Sequence, residues 1–275
     1  MTEPSAVTPR TFRFGVTVPL TSDVPAWRDR VRRLAGTGYS TLLMPDVPSW
    51  QPAPGPTLAV VAELTGLRVG TWVSASPLRP AWTLASEAHS LSMLTGGRFE
   101  LGIGTGRPGI EDELRELGMP VESPVARLAR VRETVTRLRD LDGRDLHTRV
   151  VMAVRGPRAL ALAGEIADTV TFALMPGEDR AEITELVRAF DPAGDRELSQ
   201  HVAVIGDRVA PFMAPPDTDP VALRAADSLA ILPDDPVAAG EELQRRREEI
   251  GFSYFVFGAD VADTLAPVVA ELAGR

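Results

Sequence analysis

The feature that most constrains this chain is a repeating alternation. Short runs rich in β-branched and aromatic residues are each followed by a longer stretch with apolar residues at helical spacing. The strand-like runs are Phe12–Val18, Ser40–Pro45, Leu67–Ala75, Arg98–Gly106, Thr148–Val154, Ala167–Leu174, Gln200–Asp207 and Gly251–Phe257. The helical stretches are Pro25–Thr37, a segment opened by Pro56, Pro80–Leu94, the pair Glu111–Gly118 and Ser123–Leu141 around Pro120, Pro157–Gly164, Glu178–Ala189, Pro236–Glu249 and Val261–Ala273. Pro56 and Pro157 read as first-turn residues, because a ring-locked φ suits a helix start. Eight βα units in 275 residues fill a (β/α)8 TIM barrel, whereas a doubly wound sheet of five or six strands would leave several units unassigned. The whole of 1–275 therefore reads as one α/β domain, with residues 1–11 expected to form a flexible tail.

Composition removes several chemistries. The 29 basic residues are all Arg, since the chain has neither Lys nor Asn, so a lysine Schiff base, a phosphate-loop lysine and an N-glycosylation sequon are excluded. With no Cys there is no disulfide, thiolate nucleophile or cysteine zinc site. The formal charge of −9 opposes nucleic acid and anionic membranes, and no basic run offsets it. No window is long and apolar enough to span a bilayer, and the first residues lack the apolar core of a signal peptide, so a cytoplasmic protein is expected.

In a barrel of this kind chemistry sits in the loops after the strands, which directs attention to a few motifs. Gly104-Thr105-Gly106-Arg107-Pro108-Gly109 satisfies the GxGxxG pattern, but it follows the fourth strand and precedes a helix interrupted by Pro120, which argues against a dinucleotide fold. Its glycines would still let backbone N–H groups approach a planar or anionic ligand, unless they serve tight turns alone. Arg155-Gly156-Pro157-Arg158 places two guanidinium groups at a helix start, an anion site or a solvated face. Asp46 ends the second strand, ahead of a loop holding Trp50, where it would bind a ligand or cap the loop. Of the three histidines, His89 lies in a helix, while His147 and His201 precede expected strands, so no metal site is expected. Trp27, Phe172 and Phe255 read as core.

The run Leu67–Gly109, LRVGTWVSASPLRPAWTLASEAHSLSMLTGGRFELGIGTGRPG, closely resembles the bacterial-luciferase-like family of flavin- and deazaflavin-dependent oxidoreductases. The likeness extends to FGVTVP, AGTGYSTLLMPD, RGPRALALAGEIADTV, RRREEIGFSYFVF and APVVAELAGR, with TGGRFELGIGTG at Thr95–Gly106 as the most specific element. The resemblance implies the same barrel and a cofactor in its mouth, the deazaflavin coenzyme F-420 or, alternatively, FMN. It implies a ring leaning on a bulge at the end of strand three, around Trp72, Val73 and Ser74, with a non-prolyl cis peptide at Trp72–Val73. Asp46, Gly104, Thr105, Gly106 and Arg107, with Arg155, Gly156, Pro157 and Arg158, would complete the cofactor site. Hydride transfer to or from a small organic substrate is the implied reaction, an FMN-dependent monooxygenase the first alternative, and a barrel that has lost the chemistry the second. A homodimer is also implied.

The chain departs from the family pattern at three places. Val47 stands where many F-420-dependent members carry His. The stretch before the RGPR-like helix is AVR rather than Gly-rich, with AILPDDPV where a glycine is common before the last helix. Ser76-Pro77 replaces a frequent Asn-Asp-like pair. An acid, if needed, would fall to Asp46 or Glu111. Trp50 and Arg79 lie in the loops expected to meet substrate, and Pro-rich, weakly polar loops suit an apolar or mixed one.

Overall fold

The computed structural model describes residues 10–20, 23–174, 177–190, 196–215 and 217–275. Its strands are β1 (Arg13–Thr17), β2 (Thr41–Met44), β3 (Arg68–Thr71), β4 (Ser74–Ala75), β5 (Phe99–Gly104), β6 (Arg149–Val154), β7 (Thr169–Phe172), β8 (Glu197–Val202), β9 (Val204–Ile205), β10 (Arg208–Val209), β11 (Ile231–Leu232) and β12 (Phe252–Gly258). All but β9, β10 and β11 belong to one parallel sheet, in which β1 lies between β2 and β12 and the ring closes where β3 and β4 both pair with β5. Because β4 continues β3, this is a closed barrel of eight parallel strand positions, the expected TIM architecture.

Ten helices wrap it: α1 (Val24–Ala35), α2 (Pro54–Leu64), α3 (Ala81–Leu94), α4 (Ile110–Glu116), α5 (Pro124–Asp142), α6 (Pro157–Ile166), α7 (Arg180–Phe190), α8 (Pro220–Ala225), α9 (Pro236–Glu249) and α10 (Ala259–Leu272), counted among the described residues. Several starts use the same device, an acceptor side chain followed by proline at the first or second position. Asp23 and Asp235 each accept from a backbone N–H at 2.9 Å, and Ser123 does so at 3.2 Å. Outward strand residues such as Phe14, Leu42, Val69, Leu101, Val170 and Phe255 pack under the helices as the main core. Trp27 and Phe172 are buried in that core too, as their apolar contexts suggested.

Inward positions form layers. At the amino-terminal end lies an ionic layer: Arg13 pairs with Glu100 at 2.7 Å and Glu197 at 3.0 Å, Arg68 with Glu100 at 2.6 Å, and Arg149 with Glu197 at 3.1 Å. Above it, Gly15 and Gly70 contribute no side chain, and Tyr254 crosses the gap. A Cβ on Gly15 would stand 2.8 Å from the Tyr254 hydroxyl oxygen, while the guanidinium of Arg13 lies 4.2 Å from the centre of the Tyr254 ring. The topmost layer opens on the carboxyl-end loops.

Two strand assignments shift. The seventh barrel strand is β8, beginning at Glu197 rather than Gln200, and Val204–Ile205 leaves the barrel to join β10 and β11 in a small three-stranded sheet. The misplacement has a simple cause, since the inward residues Glu197, Ser199 and His201 are polar and the apolar run lies just beyond them. The third strand is split, as described below. Helix α2 starts at Pro54, two residues before Pro56. The tail expected at residues 1–11 falls largely on residues 1–9, outside the described residues. Phe12 is fixed, with its N–H on the Arg275 carbonyl at 2.9 Å.

Candidate active site at the barrel mouth

The mouth is built around the break in the third strand. Gly70 stands opposite Glu100 and Ser74 opposite Ile103, so four residues on one strand span three on its neighbour. Within this bulge the Trp72–Val73 peptide is cis. The bulge dictates the glycines of β5. A Cβ on Gly102 would lie 1.8 Å from the Thr71 carbonyl oxygen, and one on Gly104 would lie 3.2 Å from Val73 and 3.3 Å from Ala153. Gly106 and Gly109 serve the following turn, with φ of +100° and +80°, and Gly109 caps α4. The GxGxxG spacing is thus a bulge partner followed by a loop-to-helix turn. Thr105 is half-buried there, and Arg107 pairs with Glu113 at 2.8 Å.

Both carboxylates considered as acids are paired with arginines. Asp46 is buried, with its two oxygens receiving Arg79 N–H groups at 2.5 and 3.0 Å. Arg79 therefore anchors the loop after β2. Glu111 accepts from Arg127 at 2.7 Å, and its own backbone N–H together with Arg127 lowers its pKa. A group stabilised as the anion is a poor proton donor.

The anion-type residues lie at the start of α6. Arg155 reaches the Ala173 carbonyl at 2.8 Å and Glu178 at 2.9 Å. Gly156 caps the helix without a side-chain acceptor, Pro157 occupies the first turn, and Arg158 is exposed. Trp50 stacks on Phe212 with ring centres 4.4 Å apart, so the loops after β2 and β8 meet across the mouth. Next to Phe212, Met213 packs, as Trp72 does, on the inward cluster of Leu43, Tyr254 and Val256. Gly258 makes room for this segment, since a Cβ there would lie 2.6 Å from Ala210 and 3.1 Å from the Met213 sulfur.

The residue missed in the sequence is His201. With β8 in its true register, His201 continues the inward series Glu197, Ser199 and lies one residue from the carboxyl end of its strand, opposite Val256. Burial lowers its pKa below the ordinary 6.5, leaving the ring neutral at pH 7. Period-two alternation from Glu197 was the available signal. The other histidines hold structure: His89 contacts Asp142 at 2.8 Å and His147 contacts Asp168 at 2.8 Å.

Two cavities flank Leu174. One, of about 200 Å³, lies under Met213–Pro215 and is lined by His201, Pro108 and Thr218; the other, of about 270 Å³, is lined by Val154, Arg155, Phe172 and Glu178. A larger cavity of about 610 Å³ lies away from the barrel axis, beside α8 and α9. Its Arg180 and Arg246 both pair with Glu242, at 2.6 and 2.7 Å, and it lies off the carboxyl ends of the barrel strands where this fold places its chemistry, so the mouth is the stronger candidate. Among the described residues no group of three or more His, Asp or Glu converges as a metal centre would.

The fold matches many solved structures. An F420-dependent secondary alcohol dehydrogenase in complex with an F420-acetone adduct superposes with a TM-score of 0.68 at 16% identity, covering 96% of this chain and 99% of that one. The coenzyme F420 dependent tetrahydromethanopterin reductase from Methanopyrus kandleri gives 0.69 at 16% identity over 96% of this chain and 98% of that one. The EDTA monooxygenase from Chelativorans sp. BNC1 gives 0.68 at 12% identity over 96% and 95%. These likenesses establish the architecture. The sequence profile of the luciferase-like monooxygenases covers residues 11–254, nearly the whole barrel, and with it the chain belongs to the luciferase-like monooxygenase family.

Proposed function

We propose that this protein is a cytoplasmic oxidoreductase that transfers a hydride between the deazaflavin coenzyme F-420 and a small organic substrate. The observation that carries this reading is the mouth itself, where an apolar chamber containing a neutral imidazole adjoins, across Leu174, a second chamber containing Arg155. The bound coenzyme would supply the hydride chemistry.

The residues present fit such a group in kind. Trp72, Val73 and Ser74 offer a bulged, weakly polar wall beside a β5 without side chains at Gly102 and Gly104. Arg155, Gly156, Pro157 and Arg158 offer guanidinium donors and the uncapped N–H groups of a helix start to an anionic tail. Gly104, Thr105, Gly106 and Arg107, at the end of the neighbouring strand β5 and in the turn after it, would meet the coenzyme from that side. Asp46 supports this wall through Arg79, and Trp50 closes it through Phe212. Each chamber alone is smaller than the roughly 300 Å³ at which ligand pockets begin, so a full coenzyme requires the Phe212–Met213 segment or Leu174 to give way.

Titration of the purified protein with oxidised F-420 and, separately, FMN tests the proposal through coenzyme fluorescence. Micromolar F-420 binding that weakens by about 1.5–3 kcal/mol in Arg155→Ala, the scale of a charged hydrogen bond, is the expected outcome. Binding of FMN alone would turn the reading to an oxygen-activating monooxygenase, and binding of neither would leave a barrel without its family's chemistry. We also propose a homodimer, for which Trp82, on α3, and Val125, on the adjoining α5, offer large exposed apolar side chains at 63% and 58% exposure. Sedimentation equilibrium should give twice the 29.5 kDa chain mass, and a single-chain mass would refute it.

A further inference from the structure

Building on the proposed hydride transfer, we infer that His201 is the proton-transfer group of this site and that the chamber it faces takes a small, mostly apolar molecule bearing one carbonyl or hydroxyl oxygen. Addition of hydride to a carbonyl carbon breaks the C=O π bond and leaves an alkoxide, which needs a proton; the reverse reaction needs a base for the hydroxyl proton. In the first direction a bound reduced deazaflavin would supply the hydride, and the imidazole N–H of His201 would supply the proton to the oxygen. In the reverse direction the neutral imidazole nitrogen accepts it.

Four observations converge on this residue. His201 lies at the carboxyl end of a barrel strand, the end at which barrel enzymes place their chemistry. It lines a chamber of about 200 Å³, room for roughly seven water molecules at 30 Å³ each. The rest of that lining is apolar except for Thr218, with Pro108, Leu174, Met213 and Pro215 among the walls, and among the described residues no other titratable or charged side chain lines the chamber. Among the described residues its ring makes no hydrogen bond, whereas His89 and His147 each hold a carboxylate at 2.8 Å. A histidine kept for structure would be partnered as those two are. The carboxylates at the mouth do not compete for the role, since Asp46 and Glu111 are bound to Arg79 and Arg127.

Cyclohexanone is a suitable probe, read by NMR of the three imidazoles in protein labelled at histidine. His89→Gln and His147→Gln assign two resonance sets, and His201 follows by elimination, so the assignment does not depend on a variant in the site. The expected result is a saturable shift of the His201 resonances alone, together with a His201 titration midpoint below the ordinary 6.5. His201 resonances that ignore the ketone while another set moves, or that do not move at all, overturn the inference. The result is separable from the coenzyme titration, because a protein that binds F-420 with a silent His201 keeps the proposed function and loses this residue, and the converse is equally readable. Once turnover is observed, His201→Gln should lower kcat by 10²- to 10⁴-fold with KM within a few-fold, and an unchanged kcat refutes the role.

Discussion

Glu197 shows how much a single inward side chain carries. It is buried, receives Arg13 and Arg149, and accepts from Thr169 at 2.6 Å. Glu197→Ala leaves two guanidinium groups of the inner layer without that partner, and the expected loss is about 3 kcal/mol in urea unfolding, the scale of a broken buried ion pair. Glu197→Gln should lose less, because it keeps acceptor capacity. Gly102 is constrained differently. Its substitution by Ala places a methyl against the Thr71 carbonyl, and destabilisation of at least about 1–3 kcal/mol is expected from overpacking, read as a lowered Tm. A Gly109→Ala control, where nothing lies within 4 Å, tests φ alone.

At the scale of elements, α9 is fastened by a knot of charges. Arg246 is fully buried and donates to Glu242 at 2.7 Å and to the carbonyls of Leu229 and Ile231 at 2.7 Å each, tying the helix to the small sheet outside the barrel. Burial would raise the pKa of Glu242, but Arg246, Arg180 and Arg245 outweigh it and pull the value down to about 2. A carboxylate depressed in the fold stabilises it fully above its ordinary 4.5 and loses that contribution as pH falls from there toward 2. The Tm should therefore drop across that window, and Glu242→Gln should flatten the drop while lowering Tm at pH 7. The elements also show where the sequence was informative. Eight apolar runs with helices between them specified the barrel, because outward faces packed under helices must be apolar. Inward faces obey no such rule here. The ionic layer and the polar series Glu197, Ser199, His201 broke the apolar pattern of β8, shifted its apparent register and hid the histidine. The arginine partners of Asp46 and Glu111 come from 33 and 16 residues away, a proximity that only the tertiary fold creates.

For the whole molecule, the two ends of the barrel differ in kind. One is sealed by arginines and glutamates joined across the ring, the other by a stack of Trp50 on Phe212 and the thioether of Met213. The first seal is held by directional bonds between opposite charges, the second by contacts that slide. Among the described residues the barrel is thus built as a cup rather than a tube, one end locked by ion pairs and the other closed by movable contacts. Amide exchange should follow this polarity, with the amino-terminal halves of the strands protected longest and the Phe212 segment exchanging first. Added salt should do little to either seal, because the carboxylates of the ionic layer are buried and the stack of Trp50 on Phe212 carries no charge.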